Sequence, residues 1–218
     1  MIGFLHYIVK YFVHDVALIS CILFVILWNS LNKIESWVAL LIFGCFFIDL
    51  FAASFAYKSI ENLWVYNLGV YIQILFIIII YYQLFSSPSI KKWLLIGYLT
   101  FATLYTIDLI FIQRFSVLNT YVYIPACFGI ALISYIYLKN VVVINNDRPQ
   151  DNFFFWFAGT TLINYSASIP IIALLTWPGI SDPVWNKVYY LSNIIDCIWF
   201  GIIAFGLVWT KRQTLFSL

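Results

Sequence analysis

The chain has 218 residues, of which 64% are hydrophobic and 9% are charged, and its mean hydropathy is +0.98. A soluble domain carries about 25% charged residues, so this composition excludes an ordinary soluble domain and favours a protein that has the lipid bilayer as its solvent and partner. The formal net charge of +2 is too small to indicate a nucleic-acid partner.

The apolar runs of the chain indicate helices and not barrel strands. Residues 16–28 are broken only by Ser20, and residues 74–82 are apolar or aromatic throughout. Strands of a membrane barrel would alternate apolar and polar residues over segments of about ten. The sequence therefore predicts an all-α fold, a polytopic bundle of seven transmembrane helices.

The seven predicted spans form a single transmembrane domain over residues 1–218. Each is close to the roughly 20 residues that cross the hydrocarbon core. No A-x-A cleavage site follows the first apolar stretch, so we expect that span to be retained. In chain order, the spans cover residues 11–31, 36–57, 62–85, 92–113, 118–139, 153–177 and 185–210.

The first span carries His14, which with His6 makes up all the histidine of the chain. The four cysteines lie inside apolar runs, and no CxxC, HxxxH or HExxH spacing occurs. No metal site and no cofactor are predicted. Neither a GxSxG nor a glycine-rich phosphate loop is present, so no catalytic residues are predicted either.

Spans two to four contain polar residues at lipid depth. Asp49 lies about midway along span two, Asn67 lies in the outer third of span three and Gln73 lies near its middle. Asp108 lies about one and a half turns from the outer end of span four. An ionisable side chain inside a membrane span is costly and by default indicates function.

Spans six and seven contribute Asn164, Asn193 and Asp196. Asn193 and Asp196 are three residues apart and therefore share one helix face. Pro170 follows Asn164 and removes a backbone hydrogen bond from span six. These residues lie at heights similar to those of the polar groups in spans two to four.

The shared depth suggests that all seven residues converge in a ligand-binding pocket that opens to the non-cytoplasmic side. The alternative is a set of interhelical hydrogen bonds that hold the bundle together. Because no Lys or Arg lies in the middle of a span, the acids suit a small cationic or neutral ligand, or proton exchange. The predicted binding residues are Asp49, Asn67, Gln73, Asp108, Asn164, Asn193 and Asp196.

The distribution of Lys and Arg predicts an orientation, because cytoplasmic loops are enriched in these residues. The predicted spans place four on one side, at positions 10, 58, 114 and 187, and seven on the other, at positions 33, 91, 92, 139, 148, 211 and 212. We therefore expect the N-terminus outside and the C-terminus in the cytoplasm.

Three segments of the chain resemble a group of small seven-span membrane proteins common in Bacteroidota. Gln73 stands where members of that group often carry Glu. The resemblance implies a multi-pass protein of a bacterial inner membrane and no particular activity. The segments are residues 62–67 with Gln73 and residues 81–82, residues 154–157 with 164–166, and residues 184–186 with 193–195 and 200–205.

The leading functional interpretation is a receptor-like or sensory protein that binds a ligand from outside and signals through a cytoplasmic or membrane protein partner. A second is a small-solute or proton-coupled transporter that uses Asp49 and Asp196, although the inner halves of the helices carry few polar residues. A structural subunit of a membrane complex is a third. An intramembrane lipid enzyme ranks last, because no nucleophile–base pair is recognisable.

Overall fold

The computed structural model describes the backbone of residues 2–113, 119–144, 148–177 and 179–215 and the side chains of residues 12–113, 119–141, 148–177 and 179–212. Arg114 and the side chains of His6 and Lys10, used in the sequence predictions, lie outside the described residues. Every regular element in the described part is helical. The α-helices are α1 (Ile2–Ile26), α2 (Lys33–Tyr57), α3 (Leu63–Leu84), α4 (Pro88–Ile107), α5 (Thr120–Ile144), α6 (Phe153–Leu175) and α7 (Asp182–Leu215).

Six of these helices are long and apolar enough to cross a membrane. Where its side chains are described, α1 contributes the apolar stretch Phe12–Ile26. The all-α fold is confirmed, the six long apolar helices are compatible with a multi-pass membrane protein, and a seventh crossing by α1 stays a prediction.

Helix α2 begins three residues before the predicted span because its first turn has a complete capping box. The side-chain Oδ1 of Asn32 accepts hydrogen bonds from the backbone N–H groups of Ile34 and Glu35, both at 2.9 Å. The Glu35 carboxylate accepts one in return from the Asn32 N–H at 2.7 Å. Reciprocal bonds of this kind satisfy N–H groups that have no partner within the helix.

The predicted span 92–113 is one helix followed by a change of pitch. Pro88 opens α4, a position where the missing proline N–H does not matter. The last turn, Asp108–Ile112, is a π turn, in which the N–H of Gln113 donates to the carbonyl of Asp108 at 2.9 Å. A single π turn of this kind is rare and is frequently found at functional sites.

The helices group into two compact units. Unit 1 comprises residues 1–30 and 127–218, and in it α7 packs against both α6 and α1. Helices α1 and α7 run parallel, because Ser20 Oγ donates to the Phe200 carbonyl at 3.2 Å and Lys211 Nζ donates to the Ser30 carbonyl at 3.0 Å. From the first contact to the second, the chain advances from Ser20 to Ser30, in the turn after α1, and from Phe200 to Lys211 along α7, that is, in the same direction.

Unit 2 comprises residues 31–126 and contains α2, α3 and α4. Helices α2 and α3 approach closely at Gly69, where a Cβ atom would lie 2.8 Å from Cγ2 of Ile48. Helix α4 packs against α3 through rings, with the centroid of Tyr71 6.1 Å from those of both Phe101 and Tyr105. The core of unit 2 is therefore largely aromatic next to α4.

Every α-helix also carries a large apolar side chain that is at least half exposed. Exposing such side chains to water is unfavourable by about 25 cal/mol per Å² of apolar surface, whereas lipid solvates them. The pattern fits a protein whose helices face a bilayer. Examples, one from each helix in chain order, are Val25, Phe47, Leu68, Leu99, Phe128, Ile163 and Phe205.

Candidate functional site

Unit 1 brings together three of the predicted residues, here called the Asp196 group: Asn164, Asn193 and Asp196. Nδ2 of Asn164 on α6 donates a hydrogen bond to Oδ1 of Asp196 on α7 at 3.1 Å. Asn164 is buried, and Asp196 is half-buried. The Asn164 backbone carbonyl accepts a second bond, from Ser168 Oγ at 2.8 Å. The Asp196 carboxylate is thus bound by the Asn164 amide, and the Ser168 hydroxyl binds the backbone of Asn164 itself.

Asn193 supplies a second amide one turn before Asp196 on α7. It is 8% exposed, and its Nδ2 is buried with no hydrogen-bond partner in the described part of the chain. Buried polar groups almost always have a partner, so each exception needs an explanation. A carboxylate acceptor and an amide donor on one helix face form a pair that can bind a ligand carrying both a donor and an acceptor.

No fixed positive charge accompanies the Asp196 group on its own helix. The nearest basic residue along α7 is Lys187, whose side chain is exposed. It lies nine positions before Asp196, about 14 Å along the helix axis. The other basic residues of α7 with described side chains, Lys211 and Arg212, lie beyond the opposite end of the apolar stretch and bind Ser30 and Asp151.

Unit 2 places Asn67 in a buried network between three helices. The backbone carbonyl of Asn67 accepts a hydrogen bond from Tyr105 Oη at 2.9 Å. Its side-chain Oδ1 accepts one from the backbone N–H of Asn119 at 3.2 Å. Asn67 and Asn119 are completely buried and Tyr105 is 1% exposed. This network joins α3 to α4 and to the residue that precedes α5.

Asp108 opens the π turn one helical turn after Tyr105. Its side chain is 1% exposed, and neither carboxylate oxygen has a hydrogen-bond partner among the described residues. The N–H of Gln113 lies near the carboxylate but bonds to the Asp108 backbone carbonyl. The Gln113 side chain is engaged elsewhere, with Thr120 Oγ1 at 3.4 Å and the Tyr121 N–H at 3.3 Å.

Asp49 and Gln73 complete the predicted set, and both are half-buried. Asp49 follows Ile48, the residue that contacts Gly69, so the antiparallel register of α2 and α3 puts Asp49 near the height of Asn67. Gln73 lies six residues beyond Asn67, about 9 Å along α3. The gathering of all seven predicted residues in one pocket stays a prediction.

The sequence analysis does not identify the residues that form the hydrogen bonds around Asn67 and the π turn of unit 2. Tyr105, Gln113, Asn119 and Thr120 had been assigned to apolar spans or to a connection, because hydroxyl and amide groups near span ends are usually interfacial. His14, which lies in the first span and is not among the predicted binding residues, has a buried Nδ1 without a hydrogen-bond partner among the described residues. Within the described ranges, no group of three or more His, Cys, Asp or Glu could hold a metal ion.

Comparisons with known proteins add no family assignment to this geometry. The resemblance to seven-span proteins of Bacteroidota therefore stays a prediction. No protein-family model, no curated protein and no solved structure matches the chain.

Proposed function

We propose that the protein is a receptor-like membrane protein that binds a small cationic or neutral ligand at the Asp196 group. The observation that carries the proposal is the pairing of Asp196 with Asn164 at 3.1 Å beside Asn193, whose buried Nδ2 has no partner among the described residues. A structural role alone would favour amides that satisfy each other, as interhelical hydrogen bonds in membranes do.

The charge around Asp196 supports a ligand that brings its own positive charge. A carboxylate at membrane depth is costly unless it is paired, and the nearest basic side chain on its helix is about 14 Å away along the axis. An ammonium group on the ligand would pair with the Asp196 carboxylate. A carbonyl or hydroxyl oxygen on the same ligand would accept the hydrogen bond that Asn193 Nδ2 can donate.

The proposed ligand enters from the non-cytoplasmic side of a bacterial inner membrane. The excess of Lys and Arg on the side of Lys33, Lys91 and Lys211 supports a cytoplasmic location for that side. Asp196 lies about four turns below the opposite end of α7, which begins at Asp182. The Lys and Arg distribution thus supports an outward-facing site, and a cytoplasmic or membrane protein partner would read the positions of the helices.

Ligand-dependent thermal stability of the purified protein in nanodiscs tests the proposal. The probes are methylamine, choline, acetamide and acetate, small molecules that are cationic, cationic, neutral and anionic respectively. We expect an amine probe to raise the Tm of the wild type and acetate to leave it unchanged. In Asp196→Asn the affinity for the amine should fall roughly 30-fold, because losing one partner of a charge pair costs at least about 2 kcal/mol.

Asp182→Asn is the matched control, since it removes the same charge from an exposed position of the same helix. It should bind the amine like the wild type. Equal affinity in Asp196→Asn would contradict the site. Uptake of the amine into proteoliposomes by purified protein alone would show that the protein is a transporter and not a receptor. Co-purification with a partner and no response to any probe would favour a structural subunit.

A further inference from the structure

We propose that Asp108, at the π turn of unit 2, binds one small monovalent cation, either a proton or a sodium ion. The proposal goes beyond ligand binding at the Asp196 group and rests on different residues. Its starting point is the burial of the whole Asp108 carboxylate, 1% exposed, with no hydrogen-bond partner for either oxygen in the described chain. A bare carboxylate anion in such surroundings is strongly unfavourable, so a positive charge must accompany it.

The described helices around Asp108 supply no such charge. The basic residues of α3 and α4 are Lys91 and Lys92. They lie at the other end of α4, at least about 24 Å from Asp108 along the axis. Lys58 and Glu61, in the connection before α3, have exposed side chains.

The remaining titratable groups of the elements around the π turn are tyrosine hydroxyls. Tyr105 is close enough to Asp108 for an electrostatic interaction, and its hydroxyl donates to the Asn67 carbonyl. The other tyrosines of α3, α4 and the first two turns of α5 are Tyr66, Tyr71, Tyr81, Tyr82, Tyr98, Tyr121 and Tyr123.

The backbone on both sides of Asp108 is anchored, so the carboxylate cannot reach water by a simple rotation of the turn. On the N-terminal side, Tyr105 ties α4 to the buried Asn67. On the C-terminal side, the Gln113 side chain binds Thr120 and the Tyr121 N–H at the start of α5. A π turn held at both ends presents the carboxylate in a fixed place, as a binding site requires.

The size and charge of the site select the class of cation. One carboxylate balances one positive charge, and no cluster of three acidic, histidine or cysteine ligands exists in the described residues to favour a divalent ion. A carboxylate oxygen is a hard ligand, which suits a hard monovalent cation or a proton. An organic amine has no room beside a side chain that is 1% exposed.

The test compares the wild type with Asp108→Asn and Asp196→Asn in nanodiscs. Tm is measured in NaCl against N-methylglucamine chloride at constant ionic strength, and infrared spectra at neutral pH are examined for the carbonyl band of a protonated carboxylic acid. Asp196→Asn also removes a membrane-embedded aspartate, so it is the matched control, and it makes failure of this proposal distinguishable from failure of ligand binding at Asp196.

A sodium site predicts a saturable rise in Tm, about 5–10 °C at a hundredfold excess of Na⁺ over its Kd, in the wild type and Asp196→Asn and not in Asp108→Asn. A proton site predicts no specific effect of Na⁺ and an infrared band that disappears only in Asp108→Asn. If the Asp108→Asn variant does not fold, Asp108→Ser replaces it, and the same results are expected. The proposal is overturned if the variants at position 108 match the wild type in both measurements.

Discussion

Replacing Gly206 by Ala probes the close packing of α6 against α7, on which the Asp196 group depends. A Cβ atom at position 206 would lie 2.5 Å from Cβ and 2.7 Å from Cγ of Trp156. Trp156 is held in place, because its Nε1 donates to the Gln150 carbonyl at 2.8 Å and its ring packs edge-on against Phe205 with centroids 5.2 Å apart. The added methyl group must therefore push the two helices apart or break these contacts.

The expected loss of stability follows from two opposing effects. Overpacking of a tight contact costs typically about 1–3 kcal/mol, and contact with the stem of a restrained Trp156 side chain puts this case at the upper end. Removing a glycine from a helix interior contributes about 0.8–1.0 kcal/mol of stability. The net destabilisation is about 2 kcal/mol, which corresponds to a decrease in Tm of roughly 4–8 °C for a chain of this size.

Thermal unfolding followed with a thiol-reactive dye measures this change, because the buried Cys21 and Cys127 belong to unit 1 and react when it opens. Gly159→Ala on α6 is the control, since a Cβ atom there would meet nothing within 4 Å. That variant should be as stable as the wild type or slightly more stable. If Gly206→Ala unfolds no earlier than Gly159→Ala, the close approach of α6 and α7 at Gly206 is wrong.

Two further substitutions test the capping box and the buried network. Asn32→Ala removes the acceptor of two N–H groups and should lower stability by about 0.5–2 kcal/mol, with faster hydrogen exchange at Glu35; the exposed Asn29→Ala should have neither effect. Asn67→Ala leaves the buried N–H of Asn119 without its acceptor and should cost about 1–3 kcal/mol. If the hydrogen exchange of the Asn119 N–H is as slow in Asn67→Ala as in the wild type, the bond from this N–H to the Asn67 side chain is not what protects it.

Hydrophobic runs were sufficient to locate the helices but not their ends. The predicted span 62–85 differs from α3 by one residue at each end, because polar and turn-forming residues flank it. Span 36–57 began three residues late, since the apolar run hid a polar first turn in which Asn32 and Glu35 form a capping box. That box has a sequence signature and could have been predicted.

The candidate site was predictable in its residues and not in their partners. Depth along a span follows from counting, so Asn164 and Asp196 could be placed at one height, and the structure joins them by a hydrogen bond. The π turn at Asp108 is not visible in the sequence, because it is the last turn and no helical residues follow it that would reveal a shift of the apolar period. The bond between Tyr105 and Asn67 depends on the packing of α3 against α4, which periodicity does not specify.

The division of the chain into units also sets an order of assembly during synthesis. Unit 2 is one uninterrupted stretch, whereas unit 1 joins residues 1–30 to residues 127–218. The bond from Ser20 to the Phe200 carbonyl spans 180 positions, which at about 5–20 residues per second takes a ribosome roughly 9–36 s. During that time the Ser20 hydroxyl has the carbonyl of Val16 in its own helix. Helix α1 is therefore synthesised well before its partner α7, whereas unit 2 can fold from residues that are already present.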